Sequence, residues 1–192
     1  MTSNQIAANK IAFDIDGVVA DAMSLFIYIA KQKFQINIKY EDIVDYDLSK
    51  CLDIEFKIIW NIIEFLLSGD YDNLLNPING ACEVLNKIGQ NTDAVIFVTA
   101  RPDEKTIKKW LLNNLELDEK KIKVFATGNF EQKAGILIDN KISFFVEDRL
   151  ETCYLLEKHD ILPVVFKQPW NNKAHSFMTV NSWKEIDNLI IY

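Results

Sequence analysis

The sequence predicts an α/β fold in which helices cover both faces of a parallel sheet, giving three layers. Short runs of β-branched and aromatic residues alternate along the chain with segments whose apolar residues recur every three or four positions. The short runs are almost continuously apolar, as expected of strands that are buried on both faces. Strands that alternate with helices pair in parallel, because each connection has to cross over the sheet.

Five of the short runs are predicted strands, and a sixth is a predicted edge strand. The first run is IAFDI, at residues 11–15. The later runs are AVIFVTA at 94–100, IKVFAT at 122–127, SFFVE at 143–147, ILPVVF at 161–166 and, at the edge, FMTV at 177–180. Helical spacing over 103–115 and 149–159 predicts helices that pack between these strands.

The alternation of strands and helices breaks between residues 20 and 80. Segments 20–34 and 53–67 both show helical spacing, and no strand is predicted between them. The second segment has an apolar stripe with aromatic residues beside it: Ile54, Ile58, Ile59, Ile62, Ile63 and Leu66, with Phe56, Trp60 and Phe65. We therefore predict a small helical cap, residues 20–80, inserted into a core domain of residues 1–19 and 81–192.

Composition limits the possible environment and partners of the chain. Its 192 residues are 49% hydrophobic, enough for one substantial core plus a modest insertion. Three cysteines without CxxC or CxxH spacing leave one unpaired in any disulfide scheme, so reduced thiols are expected. The polar start MTSNQIAANK lacks the apolar stretch of a signal peptide, and no run approaches the ~18 apolar residues of a membrane span. We expect a cytoplasmic protein with no membrane partner.

The net charge bears on the substrate. A formal charge of −7 argues against duplex nucleic acid as the main partner, because such binding draws on clustered Lys and Arg. An anionic substrate would therefore need local compensation, such as a metal ion.

Acidic residues stand where predicted strands end. The first strand contains Asp14 and leads into Asp16, and the run at 143–147 ends at Glu147 with Asp148 next. Ligands of open parallel sheets bind outside the carboxyl ends of the strands, so up to four carboxylates converge if these strands are neighbours. Carboxylates that close repel unless a cation compensates them, and compact all-oxygen sites favour Mg²⁺. The pattern therefore predicts a Mg²⁺ site that shares its ion with a phosphate-bearing substrate.

The DxD pair also has a purely structural interpretation. Aspartate after a strand often accepts hydrogen bonds from backbone amides in a turn or a helix N-cap. The interpretation as a site depends on the whole set, since Thr99 follows the second strand and Lys133 precedes the second acid pair.

The ordered motifs DIDGVVAD, VTARP, Lys133 and FFVEDR resemble the four motifs of the haloacid dehalogenase-like superfamily, most of whose members are Mg²⁺-dependent phosphohydrolases. The resemblance implies a Rossmann-like core with a cap after the first strand. Within the superfamily, DGVVAD, QPWN at 168–171 and NSWKEI at 181–186 are similar to the 5'(3')-deoxyribonucleotidase group. That group usually has two aspartates in the last motif, where this chain has Glu147 and Asp148.

The resemblance implies roles for the four acids. Asp14 would attack phosphorus and form an aspartyl-phosphate, while Asp16 would protonate the leaving oxygen and then activate water. The carboxylates of Asp14 and Asp148 and the backbone carbonyl of Asp16 would ligate Mg²⁺. Glu147 would act on the metal through a bound water.

Other motif residues are candidates for contact with the substrate. Thr99, with the adjacent amide of Ala100, and Lys133 would hold the transferring phosphoryl group. Four further residues are candidate substrate contacts. One is the tryptophan of the QPWN loop, just beyond a strand end. The other three have structural alternatives, because the arginine can instead pair with a site acid and aromatic residues at helical spacing are usually core. These four are Arg101, Trp170, Phe26 and Trp60.

The predicted function is that of a Mg²⁺-dependent phosphomonoesterase for a small phosphorylated metabolite, with nucleoside monophosphates first. A helical lid favours small substrates over phosphoproteins. A sugar phosphatase or a polynucleotide 3'-phosphatase on the same scaffold stays open. A different class is a non-hydrolytic module that accepts phosphate or binds ligand. Phosphoacceptor modules of the response-regulator type place the phosphorylated residue on a later strand, which disagrees with the order of motifs here.

Overall fold

The computed structural model describes residues 5–192, and residues 1–4 of the polar N-terminus lie outside the described part. The strands are β1 (Ile6–Ala7), β2 (Ile11–Phe13), β3 (Val95–Thr99), β4 (Ile122–Ala126), β5 (Phe144–Glu147), β6 (Leu162–Phe166), β7 (Met178–Val180) and β8 (Ile190–Ile191). The helices are α1 (Ala22–Phe34), α2 (Phe56–Leu67), α3 (Ala81–Asn91), α4 (Glu104–Asn114), α5 (Lys133–Asp139), α6 (Leu150–Glu157) and α7 (Trp183–Leu189).

Six of the strands form one sheet in the order β4-β3-β2-β5-β6-β7, and every neighbouring pair is parallel. The predicted parallel α/β fold is confirmed, and the FMTV run supplies the edge strand β7. Strands β1 and β8 pair separately. Strands β2 and β5 lie at the centre of this sheet, and Phe13 of β2 lies opposite both Phe97 and Val146.

Helices cover both faces of the sheet. Phe13 and Phe97 belong to a buried cluster that includes residues of α3, α4 and α7. Ala12 and Phe145, which point the opposite way because side chains alternate along a strand, belong to a second cluster with residues of α5 and α6. This division produces the three predicted layers.

The first strand is shorter than predicted, because the chain leaves the sheet after Phe13. The amide of Asp14 still donates to the carbonyl of Val146 at 3.0 Å, but the next residues turn back on themselves. The carbonyl of Ile15 accepts from the amides of Val19 at 2.9 Å and Ala20 at 2.8 Å, which closes a tight loop directly after the strand.

Three α-helices, α1, α2 and α3, lie between β2 and the next strand of the sheet, and the first two fall within residues 20–80. Asp21 caps α1, since its carboxylate accepts from the amide of Ser24 at 3.1 Å. Of the apolar stripe on α2, Ile59, Ile62 and Leu66 are buried. The division into a core of residues 1–19 and 81–192 and a cap of residues 20–80 stays a prediction.

The described residues also bear on the predicted absence of a membrane span and on the predicted free thiols. Between residues 5 and 192, no helix is both long and apolar enough to span a lipid bilayer. The cysteines Cys51, Cys82 and Cys153 are all free, as their spacing predicts.

Candidate active site

The predicted site residues meet at the carboxyl edge of the sheet. Asp14 directly follows β2, Thr99 ends β3 and Glu147 ends β5. Because β2 lies between β3 and β5, these three positions are neighbours. Lys133 is the first residue of α5, on the connection that leads from β4 to β5.

Lys133 is the central cation of the site. Its side chain is fully buried, and its Nζ donates to Asp14 Oδ1 at 2.8 Å and to Glu147 Oε2 at 2.9 Å. Burial on its own lowers the pKa of this amine, but the two carboxylates outweigh burial and raise the pKa above its ordinary value. The lysine is therefore charged and holds the ends of β2 and β5 together.

We call Asp14, Asp16, Glu147 and Asp148 the acidic cluster. Burial, with added repulsion from Glu147 and Asp16, raises the pKa of Asp14 to about 7, although Lys133 opposes the shift. Burial also raises the pKa of Asp148 well above its usual range, and the charges of Glu147 and Asp14 add to that shift. Ionisation of the cluster is thus costly without a further cation.

The donor set fits a hard divalent metal. Carboxylate oxygens of Asp14, Glu147 and Asp148 lie within 4.8 Å of one another, and all three residues are buried. If ionised, the acidic cluster carries four negative charges against two positive charges, from Lys133 and Arg101, which leaves two uncompensated. A divalent ion with oxygen ligands matches both the charge and the chemistry.

Glu147 already has protein partners for both carboxylate oxygens. Oε2 accepts from Lys133, while Oε1 accepts from the backbone amides of Asp148 and Arg149, each at 3.1 Å. A contact of Glu147 with the metal through a bound water stays a prediction. Its observed contacts fix the lysine and the start of the loop after β5.

Arg101 pairs with a site acid, one of the two possibilities that the sequence left open. Its Nε donates to Asp16 Oδ2 at 2.8 Å and its Nη2 to Asp16 Oδ1 at 2.7 Å, a bidentate geometry. The backbone amide of Arg101 donates to Thr99 Oγ1 at 3.1 Å. The arginine therefore orients both the second aspartate and the threonine hydroxyl.

Gly17 is required where the chain leaves the strand. Its φ is +75°, in the left-handed region that favours glycine. A Cβ at this position would collide with the carboxylate of Asp148 and lie 3.1 Å from Trp170 Cζ2. The glycine of the DIDGVVAD motif thus lets the loop after β2 approach Asp148 and Trp170 closely.

An apolar cavity of about 500 Å³ lies beside Asp16 and Arg101. Helices α1 and α2 form much of its wall, and Ala100 also borders it. Its aromatic lining comprises Phe26, Tyr46, Phe56, Trp60 and Phe130.

The candidate aromatic residues occupy different positions. Phe26 is buried in the cavity wall, whereas 51% of the surface of Trp60 is exposed, which leaves its ring open to a ligand. Trp170 does not line this cavity but borders a much smaller gap, and its buried indole Nε1 donates to Asp148 Oδ2 at 2.8 Å. The sequence alone does not indicate Phe130, because it follows β4 in a loop that has no helical or strand periodicity.

Comparison with known proteins places this geometry in context. The family described as "5' nucleotidase, deoxy (Pyrimidine), cytosolic type C protein" matches residues 8–192. A candidate nucleotidase of Halalkalibacterium halodurans is 27% identical over 187 residues, covering 92% of this chain and 89% of the relative. The 5'(3')-deoxyribonucleotidase of Bacillus subtilis strain 168 is 24% identical over 186 residues, covering 94% and 98%.

Solved structures support the fold. A haloacid dehalogenase-like family hydrolase of Streptococcus pneumoniae superposes with a TM-score of 0.65 at 14% sequence identity. The similarity covers 96% of this chain and 98% of that protein. The superfamily resemblance that the motifs indicate is therefore confirmed at the level of architecture.

The raised pKa of Asp14 predicts how pH affects the metal-free protein. The pKa of Asp14 is about 4 in the unfolded chain and about 7 in the folded protein. Such a group stabilises the fold in acid, and that stabilisation is lost as the pH rises through 7. In EDTA we expect the free energy of unfolding to fall by about 1.4 kcal/mol per pH unit between about pH 4 and pH 7 from this group. Asp14→Asn should then melt at a higher temperature than wild type at pH 8.

Thermal unfolding from pH 5 to pH 8 measures this effect, and Asp21→Asn is the control. Asparagine also caps helices, so this variant removes a nearby carboxylate outside the acidic cluster. It should keep the pH dependence of wild type. Equal melting temperatures for wild type and Asp14→Asn at pH 8 would contradict the burial cost assigned to Asp14.

Proposed function

Because the chain belongs to the 5' nucleotidase, deoxy (pyrimidine), cytosolic type C family, we propose that it dephosphorylates nucleoside monophosphates with Mg²⁺ as cofactor. Membership makes it a phosphoric monoester hydrolase, and the haloacid dehalogenase-like fold agrees. The observation that carries the proposal is the contact of Lys133 with Asp14 and Glu147 beside an aromatic cavity.

Asp14 is the proposed nucleophile. Lys133 holds its Oδ1, which leaves Oδ2 to attack phosphorus. A bond forms between this oxygen and phosphorus while the bond from phosphorus to the ester oxygen breaks, giving an aspartyl-phosphate and a departing alcohol. Water then attacks the same phosphorus and releases phosphate, which restores the Asp14 carboxylate.

Asp16 is the proposed proton carrier. It gives a proton to the departing ester oxygen in the first step and takes one from water in the second. Arg101 donates one hydrogen bond to each oxygen of Asp16 and orients the carboxylate, while a second lone pair on each oxygen stays available for the proton. An N–H of the guanidinium that Asp16 does not use can donate to a phosphate oxygen.

Asp14, Asp148 and the backbone carbonyl of Asp16 would hold Mg²⁺. The ion, when bound, supplies positive charge that offsets both the acidic cluster and the phosphate oxygens. Its expected ligands are all oxygen atoms, in keeping with the preference of this ion.

The phosphoryl group would lie between the ends of β2 and β3. Thr99 Oγ1 accepts from the amide of Arg101, which leaves its own hydrogen free to donate to phosphate. The amide of Ala100 and the ammonium of Lys133 complete the proposed donors. These groups stabilise charge on the equatorial oxygens during transfer.

The aromatic cavity is the proposed binding site for the base. It opens beside Asp16 and Arg101, so a nucleotide with its phosphate at Asp14 can extend its base toward α2. Every base has a face that stacks on an aromatic ring, and Trp60 presents an exposed ring. The family description and the named activity of the Bacillus subtilis relative favour deoxyribonucleotides as the first substrates to test.

The cytoplasm is the proposed location. The matching family is described as cytosolic type. Free thiols at all three cysteines suit a reducing compartment.

Asp16→Asn tests the proton carrier. Because asparagine cannot transfer the proton, kcat for a nucleoside monophosphate should fall about 10²- to 10⁴-fold. Mg²⁺ binding, measured by titration calorimetry, should persist through the backbone carbonyl. Asp21→Asn is the matched control and should retain wild-type kcat. Full activity in Asp16→Asn would assign proton transfer to another group.

Trp60→Ala tests the binding site for the base. Loss of one stacking ring costs about 1–3 kcal/mol, so KM for deoxyribonucleoside monophosphates should rise roughly 5- to 100-fold. KM for a small sugar phosphate should change little. Tyr28→Ala removes an exposed aromatic residue of α1 that does not line the cavity, and it serves as control.

A panel of 5'- and 3'-deoxyribonucleotides, ribonucleotides, sugar phosphates and a 3'-phosphorylated oligonucleotide ranks the substrates by phosphate release. If sugar phosphates are hydrolysed as well as any nucleotide, the nucleotidase proposal fails and only phosphatase activity remains.

A further inference from the structure

The turn after β6, residues 168–171, has buried polar side chains. Gln168 is 8% exposed, Trp170 is 3% exposed and Asn171 is 1% exposed. Loops usually leave such groups in water, and burial of an amide or indole N–H is costly unless it is hydrogen-bonded. The partners of these side chains therefore indicate what the turn, which we call the QPWN turn, is built to hold.

Two side chains of the QPWN turn hold Asp148. Trp170 Nε1 donates to the carboxylate Oδ2 at 2.8 Å, and Asn171 Nδ2 donates to the backbone carbonyl at 2.9 Å. Asn171 Nδ2 also donates to the carbonyl of Phe166 at 2.7 Å, at the end of β6. Both the backbone and the carboxylate of Asp148 are thus tied to the neighbouring strand.

The third side chain holds the loop that follows Asp16. Gln168 Nε2 donates to the carbonyl of Gly17 at 2.7 Å. The other atom of the same amide, Oε1, accepts from Tyr40 Oη at 3.1 Å. The ring of Tyr40 also lies 5.9 Å from that of Trp170, so the segment between α1 and α2 contacts the turn twice.

The QPWN turn closes on itself as well. The backbone amide of Gln168 donates to Asn171 Oδ1 at 3.0 Å, and Pro169 fixes the backbone at the start of the turn. A rigid turn can hold its neighbours in place, whereas a mobile one cannot.

We propose that the QPWN turn positions the metal ligands, with Trp170 orienting the carboxylate of Asp148 and Gln168 holding the loop that carries the carbonyl of Asp16. The proposal rests on the metal site of the proposed function. The indole engages Oδ2, and within residues 5–192 no hydrogen-bond donor contacts Oδ1, which leaves this oxygen to the ion. Groups that orient metal ligands in this way raise metal affinity without touching the metal.

Trp170 is therefore a positioning residue, with no direct contact to the substrate in its proposed role. Phenylalanine at this position keeps an aromatic ring against Tyr40 but has no N–H. The Asp148 carboxylate would then be free to rotate, so its alignment with the other ligands would have to be restored when the ion binds.

The test compares Trp170→Phe with wild type by Mg²⁺ calorimetry and by Mn²⁺ electron paramagnetic resonance, neither of which needs turnover. We expect the metal Kd to rise about 10-fold or more. At saturating Mg²⁺, kcat should stay within about threefold of wild type, because metal binding then realigns Asp148. A purely structural role for the indole would move the melting temperature and leave the metal Kd unchanged.

Trp110→Phe is the matched control. Trp110 is also buried, and its Nε1 donates at 2.9 Å to the carbonyl of Leu75, away from the acidic cluster. This variant loses one buried indole hydrogen bond and should keep the wild-type metal Kd.

The outcomes separate this proposal from the proposed function. If wild type binds neither Mg²⁺ nor Mn²⁺, the metal site of the proposed function fails. If wild type binds metal and Trp170→Phe binds it as tightly, the positioning role is overturned. Should Trp170→Phe not fold, Gln168→Met replaces it in the same comparison, since it removes the donor to Gly17, and an unchanged metal Kd again overturns the proposal.

Discussion

The buried ammonium of Lys133, bound to Asp14 and Glu147, is the interaction on which the site depends. A charge inside a protein is stable only when it is paired and hydrogen-bonded, and here each carboxylate follows or ends a different strand. The lysine thereby links the side chains of Asp14 and Glu147 at the ends of two strands that the sheet already pairs. With Lys133 and Arg101 in place, two negative charges of the ionised acidic cluster stay uncompensated, so a divalent ion has to offset them before an anionic substrate can bind beside them.

Much of the fold could be predicted because buried parallel strands have a local signature. Their apolar runs are short and continuous, and the apolar residues of the helices between them repeat every three to four positions, so the six strands of the main sheet could be located from the sequence. The gathering of acids followed as well, since ends of neighbouring parallel strands share one edge. The sequence shows that Arg101 can contact either the substrate or a site acid. It does not show which, because a long side chain reaches several partners.

Other parts of the site depend on packing between distant segments, which the sequence does not display. Helical spacing shows which residues of α2 share a face, but it does not show that Trp60 stays exposed at the cavity while Ile62 is buried. Phe130 and Gln168 lie in irregular segments without any period. The bond from Trp170 to Asp148 joins residues 22 positions apart across two loops, so only the folded chain reveals it.

A crystal structure of the protein with Mg²⁺ and beryllium trifluoride, a mimic of the aspartyl-phosphate, tests the central claim most directly. We expect the trifluoride on a carboxylate oxygen of Asp14, donors from Thr99 and Lys133 around its fluorines, and Mg²⁺ bound by Asp14 and Asp148. A trifluoride bound away from Asp14 would contradict both the nucleophile and the role of the buried lysine. An acidic cluster that stays free of metal would contradict the proposed Mg²⁺ site.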